Sequence, residues 1–513
     1  MTQTLLVRAR WIVTGAGDDD PILRDAALRI EGGRIAESGP FEGLQARHPG
    51  ARILGGPDVA IIPGLINSHH HANGAGVQQL GLLDDFLEPW ILAHAVLRQR
   101  DVGLNTLLAT AHLLQTGVTA VVDVHSGAGT ADAYATRVRS ALDAYRRSGI
   151  RVAFAAGTSR QSHLVHAGPG GDDAFLKTLP PALAARTRDT FMPGPANLDE
   201  DDYIAIIEDA WQRYRDDARV DVWFAPPGPQ WVSDKFMQRI VERATTLDTG
   251  VQTHLLESYY ENLMGSQVYG RSALCHLHGL GVLSPRFSVA HGVWLDDADI
   301  EILAASGSPV VHCPGSNLRL RAGIAPLNAF LKAGATACLG MDGTTLHDDD
   351  DMFAEMRLAL RLQRGPAFGD PAPRPRDVFA MATINGAKLL GKEGKLGRLQ
   401  PGYEADLVIL DLKRMLAPWV APECDPLDLI VLKARADDVR SVMIAGETVY
   451  DEKRVLRFDE EVAQRELASL LAAQPYPADA ARLVAELEPH ILAYYRAWKH
   501  PERRPHIAFN SRG

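Results

Sequence analysis

TAVVDVHS, residues 119–126, is a β-branched apolar run that ends in polar residues, and the same pattern returns down the chain. It recurs as RVAFAAGTS (151–159), VDVWFAPPG (220–228), GVQTHLLES (250–258), FSVAHGV (287–293), SPVVHCPGS (308–316) and TACLGMDG (336–343). Ala-, Leu- and Arg-rich stretches of helical character separate these runs, and strands alternating with helices predict a parallel sheet. The alternation extends from Ile61 to about Lys392, a span of 332 residues. An eight-stranded barrel needs roughly 250, so this span must carry at least one insertion. The Gly/Pro/Asp-rich piece from His163 to Glu200 is the best candidate.

Outside that span the texture changes. From Gln3 to about Gly39, LLVRARWIV and AALRIEGGRIAESG alternate apolar and polar residues, which reads as short antiparallel strands joined by turns. The alternation returns in GRLQPGYEADLVILDL and VRSVMIAGETVYDEKRV, so the two ends of the chain are expected to share one sheet. Beyond Asp459 apolar residues fall at helical spacing, with a polar tail from His500 onward. The expected organisation is a first part of a small β domain over 1–60, a catalytic α/β unit over 61–392, the second part of the β domain over 393–455 and a helical extension over 456–513.

Composition limits the function classes. Apolar residues make up 46% of the 513, enough for a large core, and 53 Lys plus Arg against 64 Asp plus Glu leave a net charge of −11. With no basic block to neutralise phosphates in a row, nucleic acid is not expected as a partner. Arginines interrupt the apolar residues of MTQTLLVRARWIVTG, and no apolar run is long enough to span a bilayer, so a cytoplasmic protein without membrane association is expected. The four cysteines form no CxxC pair, which removes redox and zinc-finger readings.

The chemistry begins at PGLINSHHH, residues 63–71. Side chains alternate faces along a strand, so His69 and His71 share one side while His70 points to the other, and the outer pair can hold a metal. Among 18 histidines in 513 residues, roughly 0.6 such pairs arise by chance. The company of the pair matters more: His254, His291 and Asp342 each sit where a later apolar run gives way to a loop. In a βα barrel those C-terminal strand ends form one rim, where active sites are assembled. A second pair, His276 and His278, falls in a helical stretch where i and i+2 do not face each other, and reads as structural.

At this point the sequence resembles the amidohydrolase superfamily, in its branch of cytosine, guanine and aminotriazine deaminases and chlorohydrolases. The likeness runs through PGLINSHHH, LLQTGVTAVVDV, HLLE, AHGVWLDDADI, VVHCPGSNLRLRAGIAPLNAFLKAGATACLGMDG, DMFAEMRLA, MATINGAKLLG and LGRLQPGYEADLVILD. It implies a distorted (β/α)8 TIM barrel with a small β-sandwich built from both chain ends. It also implies one divalent metal, zinc or iron, held by His69, His71, His254 and Asp342, with Glu257 and His291 beside the bound water. Three imidazoles and a carboxylate suit either metal, whose charge lowers the pKa of a bound water. Asp342 and His291 are then candidates to manage the proton and charge of that water, and Glu257 to shuttle a proton to a leaving nitrogen. Glu257 follows His254 by three residues, so a continuous strand would point it away from the metal, and the chain must bend after Leu255.

The chain also departs from that branch. Where PHAPYT is frequent, this sequence reads APPGPQWVSD, so Pro227 replaces a histidine that often lines the pocket. Gln230 and Trp231 on the same rim, and Asn317, are the candidate substrate contacts. TTLHDDDD follows Asp342, and its Asp348–Asp351 run reads either as a helix cap or as a bias toward a cationic substrate. The expected activity is hydrolytic deamination of an amino-substituted nitrogen heterocycle or amidine-like compound, with release of ammonia. Hydrolysis of an amide, urea or carbon–halogen bond on the same site is the alternative, and a non-enzymatic scaffold a third. Glu257 argues against the halide route, because chloride leaves without a proton. The substrate is a small molecule, and by analogy with relatives the enzyme is expected to form a homo-oligomer.

Overall fold

The computed structural model describes residues 4–498 except Pro195 and Pro366; the polar tail expected from His500 lies outside the described residues. Eight parallel strands form the central sheet in chain order: Leu65–His70, Val118–Ser126, Arg151–Gly157, Val220–Phe224, Val251–Leu255, Phe287–His291, Val310–His312 and Ala337–Leu339. The N–H groups of Met341 and Asp342 donate to the His69 carbonyl at 3.1 and 2.9 Å, joining the last strand to the first and closing a barrel. Period-two alternation sorts its side chains. Ala120, Val122, Val124, Ala153, Ala155 and Trp223 pack in one interior cluster, whereas Val121, Val152 and Phe154 join the larger core beneath the helices.

The barrel is distorted at its fourth strand. Five pairs join it to the third strand, but its pairing with the fifth falls to the single match of Phe224 with Val251, because Pro226 and Pro227 follow and have no N–H to give a ladder. The Pro227 carbonyl instead accepts from the His254 N–H at 3.1 Å. This opening turns the fourth-strand loop toward the rim.

Both chain ends do meet in one sheet, of eight strands, ordered 454–455, 447–451, 439–444, 407–411, 52–63, 5–13, 22–31 and 34–40. All neighbours are antiparallel except 5–13 beside 52–63. The sandwich is therefore one continuous hydrogen-bonded sheet, and it encloses its own core around Val7, Leu28, Ile61, Leu407, Ile409 and Met443.

Between the third and fourth barrel strands the chain adds two helices, Gly171–Leu176 and Pro181–Phe191, within the stretch expected to be inserted. They do not stand alone. The C-terminal helix Ala478–Arg496 lays Leu483, Leu487, Ile491 and Tyr495 against Leu164, Phe175, Leu176 and Leu183 of that insertion. A second C-terminal helix, Glu460–Ala472, packs Ala463 and Leu467 on Leu108. Among the described residues no helix is long and apolar enough to cross a membrane.

Candidate metal centre and cleft

His69, His71, His254 and Asp342 converge: one ligand atom from each lies within 4.8 Å of all the others. His69 Nε2 and His71 Nε2 stand 3.1 and 2.9 Å from Asp342 Oδ1, and His254 Nε2 lies 3.3 Å from His71 Nε2. Each imidazole is fixed from behind. The Nδ1 atoms meet Gln252 Oε1, the Val124 carbonyl and the Pro227 carbonyl, all at 2.7 Å. Those oxygens can only accept, so each Nδ1 carries the proton and each Nε2 turns a lone pair inward, the tautomer a metal ligand needs. Lone pairs at such separations repel one another unless a cation lies between them. His69 Nε2 is buried without a hydrogen-bond partner, and the donor set fits one divalent ion.

Backbone geometry at the rim is special. Leu256, His291 and Asp342 adopt φ of +49°, +73° and +61°, conformations that side chains other than glycine hold only when the surroundings demand it. The turn at Leu256 breaks the strand alternation and brings Glu257 back to the centre, where Glu257, His291 and Asp342 form a second cluster. Glu257 Oε2 lies 3.5 Å from His291 Nε2, while Glu257 Oε1 is buried with no partner. Close approach is secured at Gly340, where a Cβ would come within 2.9 Å of His69 Cβ and 2.8 Å of Val311 Cγ1.

The electrostatics divide the two carboxylates. Burial alone would raise Asp342, but the adjoining imidazoles of His69 and His71 outweigh it and hold the carboxyl well below its usual range. Glu257 is pushed well above, by burial first and then by Asp342, Glu261 and Glu88. Two carboxylates of unlike pKa in one site suit an ionised base beside a protonated acid. Burial lowers His69 to about 4 against the pull of Asp342, and also lowers His254 and His291. At His71 burial lowers the imidazole, but the neighbouring Asp342 carboxylate outweighs it and raises it.

Of the three candidate substrate contacts, Trp231 lines the cleft and the other two face elsewhere. Gln230 is 1% exposed, and its amide donates to Glu261. Asn317 Oδ1 meets His291 Nδ1 at 3.0 Å, so it orients the imidazole from behind. The Asp348–Asp351 run also turns from the cleft. Asp351 caps the helix Met352–Leu362, Asp348 pairs with Arg319, and Asp350 Oδ2 lies 3.5 Å from His70 Nε2. The helix-cap reading holds, and His70 faces away from the metal centre as alternation requires. His276 and His278 lie on the helix Ala273–Gly279, where His276 stacks on Tyr269 and meets Asp234.

The sequence reading missed Ser316, whose hydroxyl donates to Asp342 Oδ2 at 2.5 Å, and Gln252, which orients His69. It also missed the wall of the cleft opposite Glu257. The cleft, of about 540 Å3, is lined there by Trp90, His94, Arg100, His125, Arg137 and His163. No motif marks these residues, because they come from helices, a strand and loops spread from position 90 to 163.

Comparison with known proteins agrees with this architecture. Residues 26–51 match an imidazolonepropionase-like composite domain of bacteria. A 5-methylthioadenosine/S-adenosylhomocysteine deaminase of Nitratidesulfovibrio vulgaris is 30% identical over 461 residues, covering 89% of this chain and 94% of its own. A 5'-deoxyadenosine deaminase of Methanosarcina barkeri is 30% identical over 463 residues, covering 89% and 95%. Among solved structures, an adenosine deaminase from Xanthomonas campestris with bound zinc superposes with a TM-score of 0.77 at 26% identity, over 91% of this chain and 97% of that one. Residues 60–449, which hold every ligand of the candidate centre, match the amidohydrolase family, and the chain belongs to it.

Proposed function

We propose that this enzyme, a hydrolase of carbon–nitrogen bonds, deaminates a 6-aminopurine nucleoside or a close relative, with zinc as the working metal. The observation that carries the reading is Glu257, a buried carboxyl whose Oε1 has no partner, beside the cluster of His69, His71, His254 and Asp342. The relatives' substrates, 5'-modified adenosines, support the purine, and the zinc of the structural neighbour supports the metal.

In the overall reaction the carbon bearing the amino group gains an oxygen from water and loses ammonia. When bound to His69, His71, His254 and Asp342, the ion would supply Lewis acidity and a lowered pKa for water at the site. The chain's own groups manage the rest. His291, its Nδ1–H committed to Asn317 Oδ1, presents Nε2 as an acceptor toward the centre and orients the attacking water. Asp342, ionised, accepts a proton that the water releases. Glu257 hands its own proton to the departing nitrogen, so that neutral ammonia leaves. Trp231 gives one face of the cleft an aromatic surface on which a flat ring can stack.

An ammonia-release assay on zinc-loaded protein tests the proposal, with adenosine, 5'-deoxyadenosine and 5'-methylthioadenosine against cytosine, guanine and melamine. The expected result is turnover of the adenosine series. Turnover confined to the pyrimidine or triazine would reject the purine and keep the chemistry.

A further inference from the structure

The cleft is lined by more arginines than carboxylates. Among the described residues, the carboxylates that line the cleft are Glu257 and Asp342, both committed to the metal centre. Three arginines line the same cleft, and none is paired with an acid. Arg98 Nε donates to the Gln474 carbonyl at 3.1 Å; Arg100 Nη1 donates to Asn73 Oδ1 and the Ala75 carbonyl at 2.8 and 3.1 Å. These acceptors are neutral and leave the positive charges in place. Arg137 has no hydrogen bond or ion pair among the described residues, although its Nε is fully buried.

Other residues of the cleft share that state. His125 Nε2, His163 Nε2 and Trp90 Nε1 are buried ring nitrogens without partners, and all four residues line the cleft. A buried polar group left unpaired is destabilising, and more so if charged, so a cluster of several calls for something that completes them. The position is fixed relative to the chemistry. His125 follows Val124, whose carbonyl holds His71, so this wall begins one residue from the metal centre. Burial first, and then Arg137, His71 and Arg100, lower His125 to about 3. That histidine is therefore neutral, and the charge of the wall is carried by the arginines.

We propose that Arg137, with Arg100 and His125, forms an anion subsite that receives an oxyanion, a carboxylate or phosphate group, carried by the substrate away from its reacting ring. The inference rests on the purine-deaminase reading for the rest of the substrate, but the subsite itself stands on the unpaired guanidinium. A planar guanidinium recognises either oxyanion through paired N–H donors. A neutral nucleoside would leave Arg137 unpaired, whereas an anionic one satisfies it.

The test has two arms on zinc-loaded protein at fixed ionic strength. Calorimetric titration with inorganic phosphate and with acetate is carried out on wild type, Arg137→Gln and Arg137→Lys. Binding of the preferred anion should weaken about tenfold or more in Arg137→Gln and much less in Arg137→Lys, as expected for a charge-assisted bond. The better-bound anion tells carboxylate from phosphate. Arg137→Gln that binds both anions as wild type does overturns the subsite. The second arm compares kcat/KM for adenosine, adenosine 5'-carboxylate and adenosine 5'-monophosphate. Wild type should use the anionic compound of the preferred kind about tenfold better than adenosine, and Arg137→Gln should lose that ratio. Equal turnover of neutral and anionic adenosines also overturns it. If anions bind in an Arg137-dependent way but no adenosine compound reacts, the purine reading fails and the subsite survives.

Discussion

The backbone N–H of Glu257 donates to Glu261 Oε2 at 2.6 Å, so one glutamate holds the other in place. The same oxygen accepts from the Ser258 N–H at 3.3 Å, and Gln230 donates to Oε1. Glu261 in turn closes a capping box with Ser258 at the start of the helix Tyr259–Met264. It is thus a positioning residue that secures the left-handed turn at Leu256 and with it the reach of Glu257 to the metal centre. Glu261→Ala frees two buried N–H groups, worth about 1–3 kcal/mol each if left unpaired. Metal content and KM should stay near wild type while kcat falls roughly 10- to 100-fold. A variant with lowered Tm and unchanged kcat would reduce Glu261 to a helix cap. Gln230→Ala, which loosens only the far side of Glu261, should cost less than Glu261→Ala in the same assay.

The four candidate ligand residues come from the ends of the first, fifth and eighth barrel strands, which makes metal occupancy a direct report on barrel assembly. Elemental analysis should find about one zinc or iron per chain, and His71→Ala or Asp342→Asn should lower it strongly. His276→Ala should leave it unchanged, since His276 stacks on Tyr269 and bonds to Asp234 far from the centre. Full activity after exhaustive chelation would sink the metal-centre reading.

Glu355 gives the fold a pH dependence of its own. It is 2% exposed, and burial, helped by Asp349, Asp350 and Asp351, raises its carboxyl to about 8 against the opposing Gly315 N–H. In the unfolded chain the same carboxyl titrates near 4.3, so between about pH 4.3 and 8 the native state holds a proton that the unfolded state has lost. Stability must therefore fall as pH rises through that window, and the cost is complete above about 8. Glu355→Gln, which keeps an acceptor for Gly315 and cannot ionise, should flatten the decline. Thermal melts from pH 5 to 9 check this, and parallel curves for the two proteins would contradict it.

The barrel and the convergence of His69, His71, His254 and Asp342 were legible because both follow strong local rules. Strands ending in His254, His291 and Asp342 advertise a rim, and the two-residue spacing of His69 and His71 advertises a shared face. The offset of Glu257 even required the bend that Leu256 supplies. Gln230 and Asn317 were misplaced as substrate contacts for a different reason. A polar side chain at the rim faces either the cleft or the layer behind it, and that choice depends on Glu261 and His291, which lie 31 and 26 residues away. Arg137 was invisible because a lone arginine on an amphipathic helix reads as a solvated charge. Only the folded cleft shows that it lacks a partner.

Glu257→Gln separates proton transfer from metal binding. Glu257 Oε2 is 3.5 Å from His291 Nε2, and its Oε1 has no partner, so the residue sits beside the four-ligand set and not within it. Glutamine preserves the size and one carbonyl oxygen but cannot give up a proton to the departing nitrogen. Metal content and substrate affinity should remain near wild type while kcat falls by roughly 10² to 10⁴, the usual worth of a positioned acid. The loss should also track the leaving group. A 6-chloropurine analogue, whose chloride departs without protonation, needs no acid, so the variant should hydrolyse it at close to the wild-type rate. Loss of metal from Glu257→Gln would make the residue a ligand, and undiminished deamination would move the proton donor to another group, with His291 the nearest.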